Sequence, residues 1–341
     1  MSDERRPLRL LVNPAAGGKP ASPATEHPPL QPEEMRDQLA HGGLEVLLHV
    51  LDEDDDPGRL AADAAASGQD VAVAGGDGTV RPAAAALVGT DAVLGVIPRG
   101  SWNNIATGWG LPREEPDALR VIAAGARRSV DVGVAWHPGD SESGTASEPT
   151  TDDPLPPAAA AFFEAAGVGL DAAGFGAAAV GVRYGTWRAM RAAWRAMRRR
   201  RTRMLLTVDG RRLRTSAPAV TACNGPYYGF GFGLAPEADP ADGELDLVIF
   251  SGMSTFDVLK HYLAVARNRT RREPRMQRLA VKRVTVAGLH RALPAHADGE
   301  PIGVTPVVFA VRPAALRIFG PPDQAPGSPV AAAASAPNKR P

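Results

Sequence analysis

The stretch from Val71 to Thr79 reads as a short β-branched strand running straight into Gly75-Gly76-Asp77-Gly78-Thr79. Adjacent glycines let a backbone approach phosphate oxygens closely, and a helix that follows presents free N–H groups to negative charge. Asp77 adds a carboxylate that can meet a metal ion or a hydroxyl proton. Pro82 is expected in the first turn of the following helix, where its missing N–H costs nothing. Gly-Gly-Asp-Gly is also a good plain turn that ends many strands in α/β proteins. The rest of the N-terminal third decides between the two.

Apolar runs at Leu8–Val12, Val46–Leu51, Val71–Ala74 and Val93–Ile97 alternate with helix-like stretches at Glu33–His41, Pro57–Ser67 and Val80–Val88. This alternation predicts βαβ units and a parallel sheet, with ligands at the carboxyl ends of the strands. Three strand ends carry turns suited to a site: Asn13-Pro14 with Gly17, Gly18 and Lys19; Gly75–Thr79; and Pro98 to Asn104, which includes Ser101, Trp102 and Asn103. Beyond about residue 128 the texture changes. Ser129–Trp136, Ala161–Val168, Met204–Val208, Ala219–Asn224, Leu245–Phe250, Arg283–Ala287 and Val307–Val311 read as strands, mostly without helices between them, as in an antiparallel sandwich. The expected division is an α/β nucleotide-binding domain over 1–128, a β-sandwich domain over 129–320 and a solvated tail over 321–341. Residues 137–157, rich in Ser, Thr, Asp, Glu and Pro, read as an insertion in a hairpin.

Composition excludes several classes. The 38 basic and 38 acidic residues cancel, so nothing global argues for nucleic acid. The single Cys223 excludes an intramolecular disulfide framework, and the seven His show no metal-ligand spacing. No apolar run approaches the length of a membrane span and no signal peptide is evident, so a cytoplasmic protein is expected. One region stands apart: Arg183 to Arg214 holds twelve Arg and one acid, Asp209. Within it Tyr184, Trp187, Met190, Trp194 and Met197 recur at helical spacing. A basic amphipathic helix over 177–201 follows, either lying on an anionic membrane or packing its aromatic stripe into its own domain.

Taken together, these motifs resemble the diacylglycerol kinase and sphingosine kinase superfamily, particularly its bacterial lipid kinases. The resemblance rests on Asn13-Pro14; Gly75–Thr79; Pro98 to Asn103 followed by Leu111-Pro112; Ala166 to Ala172; Asn224-Gly225 with Tyr227, Tyr228 and Gly229; Ala235 to Asp239 with Asp242 to Asp246; and Asp298-Gly299-Glu300. It implies an N-terminal three-layer parallel-sheet domain, like that of NAD kinases and phosphofructokinases, joined to an antiparallel β-sandwich. It further implies an ATP-dependent lipid kinase that uses Mg²⁺ in phospholipid metabolism, with diacylglycerol or a related lipid as acceptor. In that scheme Asp77 and Glu300 are catalytic, Glu300 taking the proton from the lipid hydroxyl. Asn13, Gly75, Gly76, Asp77, Gly78, Thr79, Ser101 and Asn103 surround the nucleotide, and Asp239, Asp242 and Glu244 hold a structural Mg²⁺. The implied partners are the lipid and an anionic membrane surface, touched peripherally on its inner face; a homodimer is compatible with the resemblance. The chain departs from the family pattern at Arg81-Pro82, where Asn-Glu is usual, at Trp102, and at Asn104, where Asp is usual. These departures keep open a lipid- or nucleotide-binding protein with little turnover, and the shared Gly-Gly-Asp-Gly-Thr turn an NAD kinase-like enzyme.

Overall fold

A computed structural model describes residues 6–16, 29–139, 159–170, 202–229, 231–254, 256–258, 260–261, 273 and 275–320. The expected helix over 177–201, the tail over 321–341, most of the 137–157 insertion, and Gly17, Gly18 and Lys19 lie outside the described residues. The described chain divides into two compact units, one within Met1–Val130, Asp239–Ala241 and the residues from Ala314 on, the other within Asp131–Ala238 and Asp242–Pro313.

The first unit alternates strand and helix: β1 (Leu8–Val12), α1 (Pro32–His41), β2 (Val46–Val50), α2 (Pro57–Ala66), β3 (Asp70–Gly75), α3 (Asp77–Leu87), β4 (Val93–Pro98), α4 (Asn104–Gly108) and α5 (Glu115–Ala124). The strands pair in parallel in the order β2-β1-β3-β4. The end of the last described strand adds a fifth in parallel, Arg317 opposite Val93 and Ile318 opposite Leu94. Strand alternation then sorts the side chains. Leu8, Leu10, Val12, Ala72 and Ala74 pack with Met35 and Leu39 of α1 and Leu119 and Ile122 of α5. Leu11, Val71 and Val73 fall on the opposite face, where α2 and α3 pack on each other and on β3. Both sides of the sheet are thus covered, giving three layers, and each fully buried Leu, Ile or Met contributes about 1.5–3 kcal/mol.

Helix starts follow local chemistry. Glu34 accepts the Gln31 N–H at 2.8 Å, closing a capping box ahead of Pro32. Asp56 accepts the N–H groups of Gly58 and Arg59 at 2.8 and 3.3 Å. Helix α3 begins at Asp77, three residues before the Val80 expected from periodicity, so Pro82 sits inside the helix and not in its first turn. Gly78 therefore lacks an in-helix donor for its carbonyl.

The second unit holds β5 (Arg127–Trp136, begun in the first unit), β6 (Ala160–Phe162), β7 (Ala165–Gly169), β8 (Thr202–Val208), β9 (Arg211–Ala217), β10 (Ala219–Cys223), β11 (Tyr227–Tyr228), β12 (Phe232–Gly233), β13 (Leu245–Ile249), β14 (Gln277–Val281), β15 (Arg283–Gly288), β16 (Pro294–Ala297), β17 (Glu300–Val304) and β18 (Val307–Phe319, ending in the first unit). One antiparallel sheet runs β14-β13-β10-β7-β16-β17. A second layer runs β18-β15-β8-β9, with β5 pairing both β18 and β6. Their inner faces share one core: Ala166, Val220, Leu247 and Ala295 from the first sheet meet Phe162, Met204, Leu206, Val284 and Phe309 from the second. Phe162 and Phe309 meet edge to face at 6.3 Å. This is an antiparallel sandwich. The single strand expected over Ala161–Val168 is two strands, because the backbone turns at Phe163 and Glu164 to donate to a carboxylate described below.

Candidate active site

At the carboxyl ends of β1, β3 and β4 three turns meet. Asn13 donates from Nδ2 to Thr79 Oγ1 at 2.9 Å and accepts the Ala15 N–H on Oδ1 at 3.0 Å, linking the first turn to the second. The second and third turns touch backbone to backbone. A Cβ on Gly76 would lie 3.0 Å from the Gly100 Cα, and one on Gly100 would lie 2.7 Å from the Gly76 Cα. Glycine is required on both sides of that approach. Gly75 is similarly confined, its Cβ position 2.8 Å from Thr79 Cβ, whereas the Cβ position of Gly78 faces open space.

Asp77 bridges the same two turns. Its carboxylate accepts the Asn104 N–H on Oδ2 at 3.0 Å and the Ile105 N–H on Oδ1 at 3.1 Å, at the start of α4. Burial pushes the Asp77 carboxyl up from its ordinary range, opposed by those N–H bonds. Asn103 takes a left-handed φ of 49° and folds its amide onto Gly100, accepting the Gly100 N–H and donating to the Gly100 carbonyl, both at 2.8 Å. Its side chain thus shapes the turn. Ser101 is exposed at the apex and Trp102 beside it is 51% exposed. Below the turn, buried Arg99 donates to Glu115 at 3.0 Å and to the Leu30 carbonyl at 3.2 Å, tying β4 to α5. Asn13, Gly75, Gly76, Asp77, Thr79 and Asn103 are therefore assembled in one cradle, with Gly78 and Ser101 on its open side.

A second set of motif residues knots together in the sandwich unit. Asp298 and Gly299, at φ 45° and 83°, form the turn between β16 and β17. The Asp298 carboxylate accepts three N–H groups: Phe163 at 2.8 Å, Glu164 at 2.9 Å and Ala165 at 3.0 Å. Glu164 in turn accepts the N–H of Gly229 at 3.0 Å on its side chain and that of Asn224 at 2.9 Å on its carbonyl. Tyr228 hydrogen-bonds buried His296 at 2.9 Å, whose Nδ1 accepts the Gly299 N–H at 3.3 Å. Asn224, 1% exposed, donates to the Asp131 carbonyl at 3.1 Å. Glu300 stands exposed at the start of β17, on the hairpin that this network fixes. Sequence reasoning found Glu300 but assigned no part to Asp298, Glu164, Tyr228 or His296, although Asp298 and Tyr228 lie in the quoted motifs and Glu164 and His296 each stand two residues before one.

The acidic loop is held by its own backbone. Asp239 accepts the Ala241 N–H and Asp242 the Glu244 N–H, each at 2.9 Å. Asp131 accepts the Gly243 N–H at 2.7 Å. Asp239 also bears on Arg128, whose guanidinium burial pushes down and the Asp239 charge pulls back up. Burial raises the Asp246 carboxyl, with Asp242 adding to the effect. Among the described residues no three His, Cys, Asp or Glu side chains are grouped as a metal would need. Asp239, Asp242 and Glu244 are thus not gathered around one point by protein groups alone.

Comparisons with known proteins agree with these motifs. Residues 7–135 match the diacylglycerol kinase catalytic domain, and residues 166–320 match the YegS C-terminal NAD kinase beta sandwich-like domain. The chain is 40% identical over 98 residues to a diacylglycerol kinase of Mycobacterium tuberculosis (strain ATCC 25618 / H37Rv), covering 28% of this chain and 32% of that protein. The match therefore spans about a third of that relative's length. A protein of Chromohalobacter salexigens, named as a YegS-like lipid kinase, is 29% identical over 295 residues, covering 83% of this chain and 86% of its own. A solved structure titled as a diacylglycerol kinase from Bacillus anthracis str. Sterne superposes with a TM-score of 0.64 at 17% identity, covering 94% of this chain and 98% of the other, which establishes the common fold. With one family domain matched over its first part and the other over its second, the chain belongs to the diacylglycerol kinase family, of the YegS type.

Proposed function

We propose that this protein transfers the γ-phosphate of ATP to the hydroxyl of a lipid, diacylglycerol or a close relative. The observation that carries the reading is the Gly76–Gly100 approach bridged by Asp77, which lines one edge of a sheet with bare backbone. The residues present fit a nucleotide phosphate. Gly78 at the second position of α3 faces open space, and the helix start favours negative charge. They also fit a Mg²⁺ held by one carboxylate together with phosphate oxygens, because Mg²⁺ keeps most of its waters and needs few protein ligands. When bound, that ion neutralises charge on the transferring phosphoryl group.

The chain's own residues supply position and proton transfer. The turns after β3 and β4 orient the phosphates. Glu300 accepts the hydroxyl proton as the lipid oxygen bonds to phosphorus and the bond to the ADP oxygen breaks. The structural metal expected at Asp239, Asp242 and Glu244 is left out of this proposal, because those side chains are not gathered around one point. A second reading, binding with little turnover, is favoured by Asp77 already accepting two N–H groups next to a neutral Asn104.

The test is γ-phosphate transfer from radiolabelled Mg-ATP to a lipid panel in anionic mixed micelles. A labelled lipid that disappears in Glu300→Gln and in Asp77→Asn supports the proposal. Label retained in Glu300→Gln removes Glu300 from the chemistry. Folded wild-type protein that binds ATP and labels no lipid supports the second reading.

A further inference from the structure

We propose that the β8–β9 hairpin, with the turn after β15, is the surface by which this protein docks on an anionic bilayer; the inference rests on the lipid-kinase reading above. Strand β9 is the edge of its layer. Along it Arg211, Arg212, Leu213 and Arg214 are exposed in succession, where a half-buried strand would alternate. Arg203 is exposed on the adjacent strand, opposite Ser216. The only acid of the hairpin, Asp209, is consumed locally. Its carboxylate accepts the N–H groups of Lys282 and Arg283 at 3.2 and 2.8 Å.

Arginines without a carboxylate partner occur elsewhere among the described residues, at Arg6, Arg9, Arg59, Arg113, Arg278 and Arg291, but here four fall on one hairpin. Arg36, Arg99, Arg120, Arg127, Arg275 and Arg317 each have a carboxylate partner. Among the described residues, Arg203, Arg211, Arg212 and Arg214 have none. Two leucines stand within this field. Leu289 is 40% exposed with its N–H on the Arg203 carbonyl at 3.0 Å, and half-buried Leu205 lies opposite Arg214, on the face of Arg203, Arg212 and Arg214; Leu213 lies on the other face, opposite buried Leu206. Charge alone would serve to guard an edge strand against pairing. Unpaired cations interleaved with exposed apolar side chains fit an interface that is anionic at its headgroups and greasy beneath them. A nucleic acid would have no use for the leucines.

Each arginine near an anionic leaflet strengthens partitioning about fivefold, so three are worth roughly a hundredfold at low salt. The experiment is co-sedimentation of the full chain with phosphatidylcholine vesicles, with and without phosphatidylserine, comparing wild type with the Arg203→Ser/Arg212→Ser/Arg214→Ser variant and with Leu289→Ser. The expected result is phosphatidylserine-dependent binding that falls about a hundredfold in the triple variant and a few-fold in Leu289→Ser, with circular dichroism unchanged. Wild-type binding retained by the triple variant overturns the proposal, as does wild-type protein that binds a short DNA duplex and no vesicle. Lipid phosphorylation in zwitterionic detergent micelles separates the two readings. The triple variant should match wild type there, whereas absence of transfer by wild type both there and in the anionic micelles above refutes the kinase reading and leaves docking to the vesicle result.

Discussion

Replacing Asp298 tests whether one carboxylate holds the sandwich motifs together. It accepts the N–H groups of Phe163 and Glu164 and, on the same oxygen as Glu164, that of Ala165. Phe163 and Ala165 are buried, so their N–H groups would have no water to turn to after truncation, while Glu164 is partly exposed. A buried donor left without its charged acceptor costs about 1–3 kcal/mol, so Asp298→Gly should cost about 3–5 kcal/mol. Asp298 also sits at φ 45°, which adds about 1 kcal/mol for a Cβ without the local bonding of Asp or Asn, so Asp298→Ala should cost more than Asp298→Gly. Asp298→Asn keeps one oxygen for Glu164 and Ala165 and sets an NH₂ against Phe163, for a loss of about 2 kcal/mol. Urea unfolding should rank wild type above Asn, Asn above Gly, and Gly above Ala. Hydrogen exchange should accelerate first at residues 163–165. Unchanged exchange there in Asp298→Ala, or an Asn variant as unstable as Ala, would refute the reasoning.

The glycines of the cradle should separate sharply. Gly100→Ala brings a Cβ to 2.7 Å from backbone and should lose about 1–3 kcal/mol along with ATP affinity, measured by thermal melting and titration calorimetry. Gly78→Ala, with open space at its Cβ and a helical position, should instead gain up to about 1 kcal/mol of stability; a loss would mean the turn is not helical there. Burial raises the Asp70 carboxyl above 3.8, against the Val93 N–H and the Arg127 charge. Its stabilising contribution is therefore complete below pH 3.8 and falls as pH rises through the raised value. Asp70→Asn should gain on wild type in urea midpoint as pH is taken from 4 to 7; the opposite trend would show that the 3.4 Å contact with Arg127 outweighs burial.

The parallel unit was legible because its signals are local. Val71–Ala74 and Val93–Ile97 are apolar runs bounded by turns, and the structure extends each by only one or two residues, to Asp70–Gly75 and Val93–Pro98. Helix α5 went unseen because the Glu114-Glu115-Pro116 start resembles a loop, although Pro near a helix start is a recognised signal. In the sandwich, β9 and β14 were missed for a physical reason: as edge strands, RRLRTSA and QRLAV lack the buried alternation that marks a strand. The cradle could be placed at strand ends from sequence, but the partners of its residues could not. That Asp77 meets Asn104 and Ile105, and that Asp298 meets Phe163, Glu164 and Ala165, depends on backbone N–H groups, which carry no residue identity to read.

The fifth strand of the first unit's sheet has a consequence for how the chain is made. Strand β4 pairs on one side with β3, and on the other only with Arg317 and Ile318, more than two hundred residues later. While a ribosome synthesises the intervening chain, the other four strands can assemble but the outer side of Val93–Pro98, buried throughout in the finished molecule, has no partner. An apolar strand edge left open is a template for pairing with another nascent chain. Yield during expression should therefore depend on how soon this strand arrives, and a chain ending before Arg317 should aggregate even though every residue of the cradle at the ends of β1, β3 and β4 has been made.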